Sequence, residues 1–424
     1  MSSYKKGWSV TAAGTGINLA LGVLYAWSIF KADLVANYGL TEFQASLPFM
    51  VACGFWAIMM VPAGRWQDRS GPGIVAGTGG ALTGLGLILA SFSLPTIEGG
   101  SSTISSGSFL GILLGFGVLA GTGIGLGYAS TTPAAIKWFP SAKKGLITGI
   151  VVSGFGLASV YISPLSNYLL ETVALKSAFL ILGIGFLVVT VSLSLFLKNP
   201  PAGYIAGGVT APISNSTGSL RTNAKVDYKP TEMIKTPQFI LLWVMFALTS
   251  LAGLMIIGHI ASISKTQAPE IASLGFWLVA ILAIFNAAGR IGAGVASDKL
   301  GRTKTMLLVF LSQAIIMTLF PYFTSTVLLI IGTAAVGFNY GSLAPLFPSA
   351  TADYFGTKNL GVNYGLVFTA WGVGGVLGGM LGGVVVDLTG TYNVAFQVAA
   401  GLLLVASLMS LIVKAPVAVP VADG

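Results

Sequence analysis

Twelve stretches of about twenty mostly apolar residues divide this chain. They lie near 8–30, 43–64, 72–94, 108–133, 146–170, 175–197, 238–263, 272–296, 304–324, 326–350, 361–385 and 391–413. Each is long enough to cross the hydrocarbon of a bilayer as a helix. In lipid every backbone amide and carbonyl needs an internal partner, which restricts segments of this length to α-helices. Charged residues are 8% of the 424 and apolar ones 54%, with 57 glycines and a mean hydropathy of +0.88. That charged share is about a third of the soluble norm. The expected class is an all-α membrane protein with twelve transmembrane helices, numbered here in chain order. The net charge of +9 points to a membrane with one basic side, not to nucleic acid. Lys5 and Lys6 precede the first segment without a small-residue cleavage site, so that segment is expected to be retained. The single cysteine, Cys53, lies in an apolar run. It permits no intrachain disulfide and reads as a small buried thiol.

The only long polar stretch, 199–236, splits the helices six and six. The expected organisation is an N-terminal bundle over 1–198, a cytoplasmic linker over 199–236 and a C-terminal bundle over 237–424. A short motif appears once in each half. Residues 64–71 and 294–301 both read Gly-x-x-x-Asp-(Arg/Lys)-x-Gly, after helices 2 and 8. Two halves that share a loop imply a duplicated membrane fold with a central site, the architecture of a transporter. Gly64, Asp68 and Arg69, with Asp298 and Lys299, are the candidate gating residues. An aspartate there can accept from helix N-terminal amides and pair with nearby cations, latching the halves; the plainer alternative is a topology-fixing charge cluster. With the N-terminus inside, all Lys and Arg but Lys31, Lys176, Lys265 and Arg290 fall on the cytoplasmic side, and both termini with them. Glycines crowd helices 4 and 11, where small residues let helices approach closely.

No acid falls near the middle of a predicted helix, and Arg290 reads as the one cation inside one. Buried arginine is expensive unless it meets a wet cavity or a partner. Helix 8 offers no acid one turn away, so Arg290 is expected to form an anion site whose guanidinium takes a carboxylate by two parallel bonds; the plainer alternative is a structural arginine that snorkels to the cytoplasmic interface. Asn286 lies one turn earlier on the same face. Candidate cavity residues are Tyr25, Tyr128, Tyr340, Phe368 and Trp371; the three tyrosine hydroxyls need partners at depth. His259, the only histidine, is a proton-carrier candidate alongside Arg290; the plainer alternative is a hydrogen-bonded packing residue. One His and one Cys without clustered acids exclude a metal site, and no cofactor is expected.

Several segments resemble a known group within the major facilitator superfamily. They are Gly22-Val-Leu-Tyr25-Ala-Trp27, Lys137-Trp-Phe-Pro140, Lys143-Lys-Gly-Leu146, Phe285-Asn-Ala-Ala-Gly-Arg290, Leu346-Phe-Pro-Ser349, Asp353-Tyr-Phe-Gly356 and Asn363-Tyr-Gly-Leu-Val-Phe368-Thr-Ala-Trp371. Together they look like the bacterial oxalate:formate antiporters and the monocarboxylate transporters. The resemblance implies two six-helix bundles and a substrate carboxylate on Arg290. It sets Trp371 where the oxalate antiporter has a lysine, and Asn286 where animal monocarboxylate transporters have an aspartate. The expected function is secondary transport of small monocarboxylates of lactate or pyruvate size, coupled to a proton, by a functional monomer in a bacterial inner membrane. Carboxylate exchange is the alternative within transport. A membrane sensor on the same scaffold is the alternative outside it, and an enzyme is disfavoured because no nucleophile–base pair appears.

Overall fold

The structure is a computed structural model that describes residues 3–96, 103–201, 204, 227–269, 275–356 and 359–414. Among these, the chain forms helices and turns and no strand. Eleven continuous helices are long and apolar enough to cross a membrane. One of them, Ser141–Ser194, runs for 54 residues and breaks at Ala174, where the backbone turns to φ 60°. Unbroken it would span about 80 Å, far beyond a bilayer, so it makes two crossings. The twelve segments are α1 (Lys5–Tyr38), α2 (Glu42–Ser70), α3 (Pro72–Ser93), α4 (Ser106–Ile136), α5 (141–173), α6 (175–194), α7 (Pro237–Gln267), α8 (Gly275–Leu300), α9 (Arg302–Tyr322), α10 (Thr326–Phe355), α11 (Leu360–Thr389) and α12 (Asn393–Ile412). All twelve expected segments are present, and several helices outrun their apolar stretches.

Local signals explain where helices begin. Thr41 and Gln44 form a reciprocal capping box at the start of α2, with bonds of 3.1 and 3.0 Å. Thr236 caps α7 with Pro237 in its first turn. The repeated motif makes the tight reversals from α2 to α3 and from α8 to α9. Its last glycine, Gly71 in one copy and Gly301 in the other, adopts φ 84° and 89°. A side chain is strained at such φ values, so the repeat keeps a glycine at both turns. We call the end that carries these loops the motif end, and the other the far end.

The two halves meet where α2 packs on α11, α5 on α8 and α1 on α7. Within the second half, α8 and α10 approach until side chains no longer fit between them. A Cβ on Gly289 would strike the Phe338 carbonyl, and one on Gly341 would strike that of Asn286. This crossing fixes the stretch of α8 that carries Asn286 and Arg290. Large apolar side chains such as Ile58, Phe92, Phe196 and Leu408 lie exposed on the outer faces, the surface a bilayer covers.

Part of the linker is also held. The Tyr228 amide donates to the Phe355 carbonyl at 3.0 Å, and Asn359 and Asn363 donate to the Tyr228 carbonyl at 2.9 and 3.2 Å. Met233, in a single helical turn Pro230–Met233, is fully buried. The end of the linker is thus stitched to the junction of α10 and α11. Residues 202–203 and 205–226 of the expected linker lie outside the described residues.

Candidate functional site: an arginine chamber between the halves

Arg290 sits about two-thirds of the way along α8 and reaches across to the first half. Its Nε donates to Asn286 Oδ1 at 2.9 Å, and Nη1 donates to the Val152 carbonyl of α5 at 2.8 Å. Gly156, one turn on from Val152, leaves room for the guanidinium; a Cβ there would lie 3.3 Å from Arg290 Cζ and from Asn286 Oδ1. Among the described residues, no carboxylate pairs with Arg290. The partners of its positive charge are neutral: Asn286 Oδ1, the Val152 carbonyl and the Tyr128 hydroxyl.

The surrounding wall is aromatic. Tyr25 and Tyr340 join the halves through a 2.8 Å hydroxyl contact, and Trp371 Nε1 donates to the Tyr340 hydroxyl at 2.7 Å. Tyr25 stands in a 3-10 stretch, Gly22–Ala26, in the middle of α1. Trp371 stacks on Phe368 at 5.2 Å, and Trp56 of α2 packs against Trp371, Phe368, Tyr128 and Phe155. Arg290 acts electrostatically on Tyr25, Tyr128 and Tyr364. Tyr25, Tyr340, Trp371 and Phe368 are buried, whereas Arg290, Tyr128 and Tyr364 are half-buried and lie nearer the motif end. The chamber is therefore roofed toward the far end and reached from the motif end.

Two buried donors here have no partner, Asn286 Nδ2 and Trp56 Nε1. Leaving one buried donor unmade costs about 1–3 kcal/mol, and native proteins keep few of them. Among the described residues, this region therefore holds one cation without a counter-ion and two N–H donors without an acceptor.

The structure thus brings together Arg290, Asn286, Tyr25, Tyr128, Tyr340, Phe368 and Trp371. The sequence reading missed Trp56, Tyr364 and Phe155. Trp56 sits on the same helix face as Cys53, about two turns before a motif copy, and nothing in its immediate sequence separates it from packing aromatics. His259 lies apart from this chamber, at the far end, bonded to Lys31, Ser46, Tyr392 and the Gly379 carbonyl. Lys31 corrects the expectation of a single intrahelical cation. Read from sequence as lying outside, it is 0% exposed within α1, because that helix continues to Tyr38.

At the motif end, the second copy forms an ion-pair cluster inside its own half. Arg302, which opens α9, donates to Asp298 at 2.8 Å, to Asp353 of α10 at 2.9 Å and to Ser297 at 2.5 Å. Lys299 and Arg69 are exposed, and the Asp68 side chain lies outside the described residues. A Cβ on Gly64 would meet nothing within 4 Å, and one on Gly294 only Pro345 at 3.9 Å. In the first copy Pro72 stands at the position of Arg302, so the two copies share a turn but not this pairing cation. Arg302→Met is expected to destabilise the purified protein by about 1–3 kcal/mol, since it strands the mostly buried Asp353. Asp353→Asn in the same chain should recover part of that loss. Thermal unfolding of the two single variants and the double variant measures the coupling.

The chain matches the family model described as Major Facilitator Superfamily over residues 12–291 and 239–423. It belongs to that superfamily. It is 29% identical to the uncharacterised transporter YhjX of Escherichia coli, covering 88% of this chain and 87% of that one. It is 26% identical to the oxalate:formate antiporter of Oxalobacter formigenes, over 77% of this chain and 72% of the other. It is also 26% identical to monocarboxylate transporter 13 of Bos taurus, over 92% and 84%. The fold matches a solved structure of the xylose transporter XylE from E. coli, described as a partially occluded inward-open conformation. The TM-score is 0.70 at 12% identity, over 96% of this chain and 99% of that one. The superfamily member described here is thus a multi-pass membrane transporter with the shared twelve-helix fold.

Proposed function

We propose that the protein carries small monocarboxylates of lactate or pyruvate size, together with a proton, by alternating access. The observation that carries this reading is Arg290 without a described counter-ion beside the idle Asn286 Nδ2 donor. A carboxylate has two acceptor oxygens and one negative charge, the complement of that arrangement. The similarity to an oxalate:formate antiporter and to monocarboxylate transporters supports the same substrate class. Trp371 argues for a monoanion. An indole that stacks on Phe368 and bonds Tyr340 stands where the resemblance places a second cation, and oxalate needs one positive partner for each carboxylate.

In this reading the halves 1–198 and 237–424 rock about the chamber, the linker and both termini lie in the cytoplasm of a bacterium, and one chain is sufficient. Substrate neutralises Arg290 with help from Asn286 and a tyrosine hydroxyl. The neutral complex crosses readily, while the empty carrier holds a bare cation in a low-dielectric site and moves slowly. Exchange of one carboxylate for another is the rival reading, favoured by the antiporter relative. Uptake of labelled lactate and oxalate into proteoliposomes distinguishes the two. An inward proton gradient is expected to drive lactate entry without anion trapped inside. Uptake that demands trapped anion refutes the proton-coupled reading, and oxalate uptake as fast as lactate refutes the monoanion preference.

A further inference from the structure

The far end holds a second polar cluster that the arginine chamber does not use. Lys31 of α1 and His259 of α7 are both 0% exposed. The Lys31 ammonium contacts the Glu42 carboxylate and His259 Nδ1, and lies 3.4 Å from the Tyr392 hydroxyl. Tyr392 donates to Glu42 Oε2 at 3.1 Å. His259 Nε2 faces the Gly379 carbonyl at 3.3 Å and Ser46 Oγ at 3.2 Å. A carbonyl only accepts, which assigns the ring hydrogen to Nε2 and leaves the Nδ1 lone pair facing Lys31, with the Tyr392 hydroxyl 3.1 Å from the same nitrogen. Beside the cluster, Asp387 of α11 accepts from the backbone amides of Glu42 and Phe43 at 2.8 and 2.9 Å, capping α2. Lys31, Glu42 and Ser46 come from the first half; His259, Gly379, Asp387 and Tyr392 come from the second. The Lys31–His259, Glu42–Tyr392, Ser46–His259 and Asp387–α2 contacts therefore all tie the halves together, above the Tyr25–Tyr340 roof.

We propose that this cluster is a proton-binding lock on the far mouth of the carrier, closed when deprotonated and released by one proton. In the closed state the buried ammonium has both an anion and an imidazole lone pair. A proton on Glu42 removes the charge that holds Lys31. A proton on His259 Nδ1 sets two cations face to face. The first leaves Lys31 buried without an anion and the second leaves two buried cations on one carboxylate, unfavourable states that separating the halves relieves by admitting water. Glu42, with 18% of its side chain exposed, is the point at which far-side water meets the cluster. The other charged groups nearby are accounted for. Asp387 bears on Lys31 and Tyr392 from α11. Asp33, two residues along on α1, is bonded to Asn37 and faces Lys265 of α7. Glu171 on α5 is bonded to Asn167.

The lock deepens the proton-coupled reading by naming where the proton acts, but its test needs no transport. Spin labels on Ala36→Cys and Thr391→Cys, both exposed positions, with Cys53→Ala, report the distance across the far mouth in lipid nanodiscs. One short distance is expected at about pH 8, with a longer population growing toward about pH 5. Glu42→Gln, neutral and isosteric, is expected to show the longer population already at about pH 8. Tyr392→Phe removes the hydroxyl contacts with Glu42, Lys31 and His259 and no charge. It should raise the open-to-closed ratio roughly fivefold at high pH while keeping the acid response. A distance unchanged across that range in the parent protein overturns the lock. So does a Glu42→Gln protein that keeps the short distance and titrates like the parent. Should Glu42→Gln not fold, an unaltered ratio in Tyr392→Phe overturns it instead. Labels that respond to acid in a protein without carboxylate uptake leave the lock standing and remove the substrate reading; uptake with unresponsive labels does the reverse.

Discussion

Arg290→Ala is expected to abolish carboxylate transport while leaving the protein as stable as before, or slightly more so. Two parallel charge-assisted bonds to a carboxylate contribute about 1.5–3 kcal/mol each, so their loss lowers uptake at limiting substrate by at least about a hundredfold. Stability moves differently because the resting protein gives Arg290 neutral acceptors, Asn286 Oδ1, the Val152 carbonyl and the Tyr128 hydroxyl, and no described counter-ion. Placing an arginine at such depth costs about 3 kcal/mol, which the alanine avoids. Arg290→Lys separates charge from shape. It keeps the cation but loses the fork that reads a planar carboxylate, and about a tenfold loss of uptake is expected. Paired measurements of uptake and thermal midpoint check both halves of the expectation. Wild-type transport by the alanine variant removes Arg290 from the mechanism.

Gly341→Val is expected to prevent correct folding. The added Cβ falls on the Asn286 carbonyl, a backbone atom at the centre of the α8–α10 crossing. Overpacking against side chains that can move costs about 1–3 kcal/mol; here the obstacle is main chain on both sides, because Gly289 presses the Phe338 carbonyl in return. The helices must part, and the hydrogen-bonded stretch from Asn286 to Arg290 moves with them. Gly401→Val is the control, since a Cβ there meets nothing within 4 Å. Size-exclusion profiles of the two variants in detergent should show a lost or aggregated species for the first and a normal peak for the second.

The helices were legible from apolar run length alone, because a bilayer leaves a segment of that length one regular structure. The reversal at Ala174 was placed only by the boundary between two apolar runs, since alanine carries no signal for positive φ. Arg290, Asn286 and the tyrosines of the chamber were readable because ionisable and hydroxylated side chains at depth require a reason. Trp56 was not, because a tryptophan's idle N–H is a fact of three-dimensional neighbours. Lys31 was misplaced although the sequence held the clue. Gly39 follows Tyr38, and Thr41 with Gln44 forms a capping box. Those marks end one helix and begin the next, placing Lys31 two turns inside α1 on the buried face with Trp27 and Leu34. Apolar run length stops at the first charge; helix punctuation does not.

The 3-10 stretch Gly22–Ala26 gives the first helix the character of a loaded screw. A residue in that form advances about 2.0 Å and turns about 120°, against 1.5 Å and 100° in an α-helix. Over five residues the difference is about 2.5 Å of travel and about 100° of rotation. Relaxing this stretch would draw the Lys31 end toward the chamber and swing Tyr25 off Tyr340 in a single stroke. One short overwound coil would thereby gear the far mouth to the roof of the chamber, with no sliding of α1 along its length.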